Sequence, residues 1–313
     1  MSAPGKVDVS FHFAELSNGM RLHYAQAGVG PTILFVHGFP EFWYGWRELL
    51  GRFGTDHRAV APDMRGYNLS GKPPEVRDYR PRLLVEDLRL LLEHLQCREC
   101  VMVAHDWGGA VAWNFAAAHP QYLSHLVIVN APHPVTFARE LQHSQAQRQA
   151  SAYMNLFRSA KAERVLSEDG FARLQRMTLD AWAANGGSAT REDREAYCAA
   201  WSQPGALTGA LNYYRASPLH PPEAGESVLQ PDPDAFRVRV PTLVIWGERD
   251  EALLPGMLDG LDELVDSLRI VRIARGSHWV VHEAPRVVEA LIRGFISGGD
   301  AHAVADTPLD GRG

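Results

Sequence analysis

Four short segments of the chain carry side chains able to do chemistry together. The first, His105-Asp106-Trp107-Gly108-Gly109, follows the apolar run Val101-Met102-Val103-Ala104 and precedes a small-residue stretch at 110–118. Small residues around Asp106 allow a tight strand-to-helix turn, which would present its carboxylate at a helix N-terminus, where backbone N–H groups and the helix dipole keep it ionised. A carboxylate so placed is either a nucleophile or a plain helix cap. The second segment, Trp246-Gly247-Glu248-Arg249-Asp250, also leaves an apolar run and offers Asp250, with Glu248 in reserve. The third, Gly276-Ser277-His278-Trp279, places a histidine in a turn before the last helix, while His282 reads as a helix-start residue. A carboxylate that attacks, a histidine that activates water and a second carboxylate that orients the histidine make a set for covalent hydrolysis. The fourth segment, His37-Gly38-Phe39-Pro40, leaves the run Ile33-Leu34-Phe35-Val36, and Pro40 is a candidate for a cis peptide that turns the Phe39 N–H inward.

These turns need a rigid frame, and the sequence has the rhythm of one. Short apolar runs at 33–36, 58–61, 101–104 and 126–129 alternate with an amphipathic helix at 83–95 and the helix at 110–118, which predicts parallel strands covered on both faces. Strand-like runs then stop, and helix-friendly stretches at 142–162, 169–184, 192–201 and 206–215 lead to a Pro-rich segment at 217–233. Strands resume at 241–246 and 268–273, before a helix at 285–296. The reading is a core of residues 1–132 and 233–297, an all-helical insertion at 133–232 and a loose, disordered tail at 298–313. With 313 residues, 46% hydrophobic and 22% charged, the chain can bury a full core. A net charge of -6 gives no basic footprint for nucleic acid. No secretory leader and no membrane span is legible, so a cytoplasmic address is expected. The three cysteines do not form a disulfide framework, and Cys97 and Cys100, though spaced as CxxC, are expected to be structural.

Taken together, the motifs resemble the α/β-hydrolase superfamily over residues 11–296, and within it the aspartate-nucleophile branch of the soluble epoxide hydrolases. The likeness rests on His37-Gly38-Phe39-Pro40-Glu41-Phe42-Trp43-Tyr44-Gly45-Trp46-Arg47, on Ala61-Pro62-Asp63-Met64-Arg65-Gly66-Tyr67 and on His105-Asp106-Trp107-Gly108-Gly109. It implies an α/β-hydrolase fold, with a mostly parallel central sheet flanked by helices and a helical cap inserted. It also implies Asp106 as nucleophile, Asp250 as acid and His278 as base, in the usual chain order, with the Phe39 and Trp107 N–H groups as oxyanion hole. Some relatives take the acid from the strand before the insertion, where this chain has the uncharged Asn130. Two cap tyrosines that bind and protonate the epoxide oxygen match Tyr214, in Asn212-Tyr213-Tyr214-Arg215, and Tyr153, in Ala152-Tyr153-Met154-Asn155. Tyr213, one step along the same helix, is turned away by about 100°.

The resemblance implies no cofactor and no metal. The expected partners are a small apolar epoxide and water, with no nucleic acid and no membrane; a homodimer is compatible with the reading. Phe39, Trp43, Trp107, Phe137 and Trp182 are candidates for an apolar pocket. A fluoroacetate dehalogenase would be expected to carry arginines one and four positions after the nucleophile, where this chain has Trp107 and Ala110. A haloalkane dehalogenase remains the alternative, with Trp107 and either Trp182 or Trp201 as halide donors. A ligand-binding protein of this fold without catalysis is the second alternative.

Overall fold

The apolar runs of the sequence form the parallel part of an eight-stranded sheet. The computed structural model describes residues 7–222 and 226–299, so the tail from residue 300 onward lies outside the described residues. The strands are β1 (Val9–Glu15), β2 (Arg21–Ala27), β3 (Thr32–Val36), β4 (Arg58–Pro62), β5 (Cys100–His105), β6 (Leu123–Val129), β7 (Thr242–Gly247) and β8 (Leu268–Ile273). They lie side by side in the order β1-β2-β4-β3-β5-β6-β7-β8. β2 pairs antiparallel with β1 and β4, and the remaining neighbours are parallel. β1 and β2 are additions to the sequence reading. β1 is a mostly exposed edge strand, so no apolar run marks it.

Helices α1 (Arg47–Phe53), α2 (Pro81–His94) and α3 (Trp107–Ala118) connect the first parallel strands. After β6 come α4 (Pro134–His143), α5 (Gln145–Ala150), α6 (Tyr153–Arg158), α7 (Ala162–Met177), α8 (Leu179–Ala184), α9 (Arg191–Trp201) and α10 (Ala206–Ala216). After β8 come α11 (Val280–Glu283) and α12 (Pro285–Ile296). The period of two along β3 and β5 sends Leu34, Val36, Met102 and Ala104 to one face, against α2 and α3. Ile33, Phe35, Val101 and Val103 point to the other, where Leu50 and Phe53 of α1 and Leu291 and Ile292 of α12 close the core. No helix among the described residues is long and apolar enough to cross a membrane.

The helical region is more segmented than its composition suggests. Within the stretch 142–162, Ser144 stops α4 and caps α5, its hydroxyl accepting from the Gln147 N–H at 3.1 Å. Within 169–184, Asp169, Gly170 and Phe171 take positive φ angles of 52°, 64° and 64°, which kinks α7. These helices pack on the strand ends through specific polar contacts. Asp193, Tyr197 and Trp201 share one face of α9, and together they grip the loop after β3 and the start of α1. Arg47 Nη2 pairs with Asp193 at 2.6 Å, the Tyr197 hydroxyl donates to Glu41 at 2.5 Å, and the Trp201 indole N–H donates to the Pro40 carbonyl at 2.6 Å.

A buried ion pair ties the other side of the frame. Arg65 Nε and Nη2 donate to both carboxylate oxygens of Asp87 on α2 at 2.6 Å, and Asn18 adds a third donor at 2.8 Å. Asp87 is fully buried. Asp87→Ala strands the Arg65 guanidinium without its partner, so urea unfolding should show a loss of about 3–5 kcal/mol. A loss under about 1 kcal/mol, as for an exposed pair, would contradict this account.

Candidate active site

The C-terminal ends of β3, β5, β6, β7 and β8 converge on one crevice, the usual place for a site on a parallel sheet. Asp106 follows β5 directly and takes φ 51° and ψ −124°, a sparsely populated conformation for a residue with a side chain. It precedes α3 but makes no side-chain capping bond, so the plain helix-cap alternative does not hold. Its Oδ1 instead accepts the Phe39 N–H at 2.6 Å. The Phe39–Pro40 peptide is cis, in line with the sequence reading. Two glycines make the approach possible: a Cβ on Gly38 would lie 2.3 Å from Asp106 Oδ1, and one on Gly108 would lie 2.3 Å from the Val36 carbonyl. Trp107 opens α3, so its N–H belongs to the first turn, whose donors have no intrahelical acceptor.

Asp250 and His278 arrive from the next strand ends. His278 Nδ1 donates to Asp250 Oδ2 at 2.7 Å, and His278 Nε2 lies 3.6 Å from Asp106 Oδ2. Asp250 Oδ1 accepts the Ala252 and Leu253 N–H groups at 2.9 and 2.8 Å. Asn130, at the end of β6, donates to Asp250 Oδ2 at 2.8 Å while its own oxygen accepts the Gly247 N–H at 2.9 Å. Burial alone would raise the Asp250 pKa, but the charge and hydrogen bond of His278, the Leu253 N–H and Asn130 outweigh it and hold the carboxyl below its ordinary value. Burial works against a charged His278, yet Asp250, Asp106 and Glu41 raise its pKa to about 9. Glu248, the reserve acid, is exposed and faces Arg272 at 3.5 Å.

Two tyrosines close the crevice from the helical side. Tyr153 begins α6 and Tyr214 lies in α10, with ring centroids 6.2 Å apart. Burial pushes both phenols upward, helped by the charge of Asp106 at Tyr153 and by Tyr153 and then Asp106 at Tyr214, so both hydroxyls stay protonated at neutral pH. The Trp107 ring stands edge-on to Tyr214 at 5.1 Å. Tyr213 is turned away and donates to the Arg65 carbonyl at 2.9 Å.

Asp106, Tyr153 and Tyr214 line two cavities at once. One, of about 410 Å³, is walled by apolar groups that include Trp107, Val111, Phe137, Met154 and Leu253. The other, of about 810 Å³, holds Phe39, Asp250 and His278, with Arg173, Arg176 and Arg249 farther out. Two expected pocket residues lie elsewhere. Trp43 packs on Phe11 and Tyr44, and Trp182 is buried in a stack on His282 at 4.0 Å. Both occupy core contacts that composition cannot tell from a pocket wall.

The sequence reading passed over a buried cluster behind the histidine. Glu41 accepts from Tyr197 and from His282 Nε2 at 2.8 Å, and its second oxygen lies 3.4 Å from His105 Nδ1. His105 Nε2 in turn donates to the His278 carbonyl at 2.8 Å. Burial opposes the charge on Glu41, but His282 and His105 hold its pKa well below the ordinary value. His282, read as a helix-start residue, is therefore a buried partner of Glu41. The one signal in the sequence was a charged residue inside the aromatic run Phe39 to Trp46.

The sequence profile described as the alpha/beta hydrolase fold matches residues 31–285. "Epoxide hydrolase 4" of Mus musculus is 34% identical over 89% of this chain and 77% of its own length. "Epoxide hydrolase 3" of Xenopus tropicalis is 36% identical over 89% of this chain and 75% of its own. Among solved structures, the epoxide hydrolase of Bacillus megaterium in complex with an inhibitor superposes with a TM-score of 0.85, at 35% identity, covering 91% of this chain and 100% of that one. Eight strands in the order found, a strand-to-helix turn bearing Asp106 and this likeness lead to one conclusion: the chain belongs to the α/β-hydrolase-fold family, in the branch that contains the epoxide hydrolases.

Proposed function

We propose that the chain hydrolyses epoxides to vicinal diols through an ester on Asp106. The observation that carries the reading is the grouping of one carboxylate and two protonated phenols at the junction of two cavities. An epoxide held there meets an anionic nucleophile on one side and proton donors on the other. Unassisted opening would expel a strongly basic alkoxide, and donation from Tyr153 and Tyr214 relieves that charge, a contribution of about a hundredfold to ten-thousandfold. Asp106 Oδ2 attacks a ring carbon, the carbon–oxygen bond of the ring breaks, and a hydroxyalkyl ester forms. Oδ1, already held by Phe39, stays as the ester carbonyl.

Hydrolysis falls to His278. Esterification removes the Asp106 charge, one of the three that hold a proton on the imidazole. With less support for the charged form, His278 takes a proton from water more readily as Asp250 steadies it. The water attacks the Asp106 carbonyl carbon, and the oxyanion forms on Oδ1 at the Phe39 and Trp107 N–H groups; its collapse breaks the ester carbon–oxygen bond, the proton held by His278 passes to the leaving oxygen, and the diol departs from the restored carboxylate. Helices of residues 133–232 serve as the cap that supplies both phenols and walls off solvent.

Dehalogenation has weaker support. A leaving halide needs a pair of free indole N–H donors, but Trp201 donates to the Pro40 carbonyl. Trp182 lines neither cavity. A purely ligand-binding role leaves the assembled Asp106, His278 and Asp250 set without a use.

Three outcomes test the reading. With styrene oxide the protein should release diol, whereas halide release from a haloalkane without any diol formation would overturn the assignment. His278→Gln should give one equivalent of alkylation on the peptide that contains Asp106 and then stall; no burst in that variant means that water attacks the ring directly. Tyr153→Phe and Tyr214→Phe should each slow alkylation tenfold or more, and the double variant by about a hundredfold to ten-thousandfold.

The raised pKa of His278 also predicts a stability change with a definite sign. A group whose folded pKa exceeds its unfolded value binds its proton more tightly when folded, so its stabilisation is complete below about pH 6.5 and is lost as pH rises through about 9. Relative to His278→Gln, the wild type should lose about 3 kcal/mol over that interval in urea unfolding. A flat difference would mean that the imidazole is neutral throughout.

A further inference from the structure

The chemistry at Asp106 leaves three arginines of the larger cavity without a task. Arg173, Arg176 and Arg249 line it together with Asp106, Asp250 and His278, and all three are exposed, so they stand where it opens to solvent. Arg173 and Arg176 come from the helical layer. They lie three residues apart in the part of α7 that follows the kink at 169–171, a spacing that puts both on one side of the helix. Arg249 comes from the sheet, in the loop that leaves β7 just before Asp250. Both carriers are fixed to the turn that bears the histidine. The Trp279 indole N–H donates to the Met177 carbonyl at 3.0 Å, next to Arg176, and the Arg249 N–H donates to the Gly276 carbonyl at 2.9 Å. The roots of these arms are thus held in place relative to His278.

What the three cations lack is a partner. No carboxylate among the described residues pairs with their guanidinium groups, although carboxylates lie close by in sequence. Asp180 on α8 is taken by Arg194 at 2.6 Å, and Glu248, adjacent to Arg249, faces Arg272 at 3.5 Å. Outside the Asp106 set, the one lining carboxylate among the described residues is the exposed Glu251. Three cations against one acid leave the mouth positive in a chain whose net charge is -6. The smaller cavity differs, with a single lining arginine among the described residues, Arg82, beside its apolar walls. A guanidinium presents paired N–H donors in one plane, which matches the oxygens of a carboxylate or a phosphate. A positive mouth also draws such a group toward the site.

We propose that the substrate is an epoxide with one arm that ends in an oxyanion, a carboxylate or a phosphate, and that Arg173, Arg176 and Arg249 hold this end while the ring lies at Asp106. The inference rests on the epoxide reading of that site. An apolar arm on the other ring carbon fits the smaller cavity, so the two cavities receive opposite ends of one molecule. At about 810 Å³ the larger cavity has room for the anionic arm and for the water that His278 activates, whose share is about 30 Å³. Exposed ion pairs are individually weak, so each arginine should contribute a few-fold and the three together on the order of tenfold.

The test compares terminal epoxides whose alkyl chains, in a series of lengths, end in a carboxylate, a phosphate or a neutral carboxamide. At the best length, kcat/KM for the carboxylate or the phosphate should exceed that for the carboxamide by about tenfold, and the excess should shrink as salt is added. Whichever anion gains more identifies the group. Replacing Arg173, Arg176 and Arg249 together by Ala should bring the ratio close to one, whereas Arg82→Ala should preserve it. Equal values in the wild type, an excess that survives the triple replacement, or an excess that is lost with Arg82 would overturn the proposal. A binding measurement separates this from failure of the epoxide reading. Saturated alkyl carboxylates of the same lengths, titrated calorimetrically, should bind the wild type more tightly than the triple variant. Arginine-dependent binding with no diol from any epoxide would keep the anion subsite and refute the epoxide chemistry. Diol from the carboxamides without any preference for the anions would do the reverse.

Discussion

The backbone of Asp106, at φ 51° and ψ −124°, constrains everything around it. Such a conformation costs about 1–3 kcal/mol at a residue with a Cβ, so neighbouring structure must over-determine it. β5 does so from one side, hydrogen-bonded along both edges by β3 and β6. α3 does so from the other, beginning at Trp107, with Ala110 donating to the Asp106 carbonyl at 3.0 Å. The loop after β3 must then come close enough for the Phe39 N–H to reach Oδ1, which Gly38 and Gly108 permit because neither has a Cβ to fill the gap. The strained turn and the glycines are one device, since neither has a purpose without the other.

The same loop is held from above. Pro40, Glu41 and Arg47 each receive a partner from one face of α9, and Glu41 also binds His282 and approaches His105. His105 hydrogen-bonds the His278 carbonyl, and His282, four residues after His278, hydrogen-bonds Glu41, so the loop that holds Asp106 and the segment that holds His278 are tied together behind the site. A buried carboxylate such as Glu41 is costly unless its oxygens are satisfied. Here Tyr197 and His282 both donate to Oε1, His105 Nδ1 lies 3.4 Å from Oε2, and the cluster ties the helical layer to the strand ends. The helices over the crevice therefore help to set the position of the loop beneath them.

The parts legible in the sequence were those governed by local chemistry. Apolar runs at 33–36, 101–104 and 126–129 gave the central strands, because a strand buried on both faces has no freedom to be polar. The turn at Asp106 was legible from its small neighbours, and the cis peptide at Pro40 from the weakened trans preference of X–Pro bonds. What was not legible depends on partners distant in sequence. β1 escapes because an edge strand tolerates polar residues, and β2 because its run Arg21–Ala27 mixes polar His23 and Gln26 with the apolar residues although it is paired on both edges. Trp182 resembles a pocket residue until its stack on His282 is seen, and Asn130 resembles a lost acid until its amide is found on Asp250. In these cases the residue type was visible but the environment that defines it was not.

The two cavities give the proposed chemistry a division of space. Asp250 and His278 line only the larger cavity, where polar groups can hold a water, whereas Trp107, Phe137 and Met154 line only the smaller, apolar one. A substituent placed among Trp107, Phe137 and Met154 gains by leaving water, and in doing so it leaves the His278 side open. Water and the organic group then need not compete for the same volume. Asp106 at the junction can exchange its role, attacking toward the phenols and being attacked from the imidazole side, without moving its backbone. In the proposed mechanism a single rigid turn would serve both steps, with the reagents approaching it from different directions.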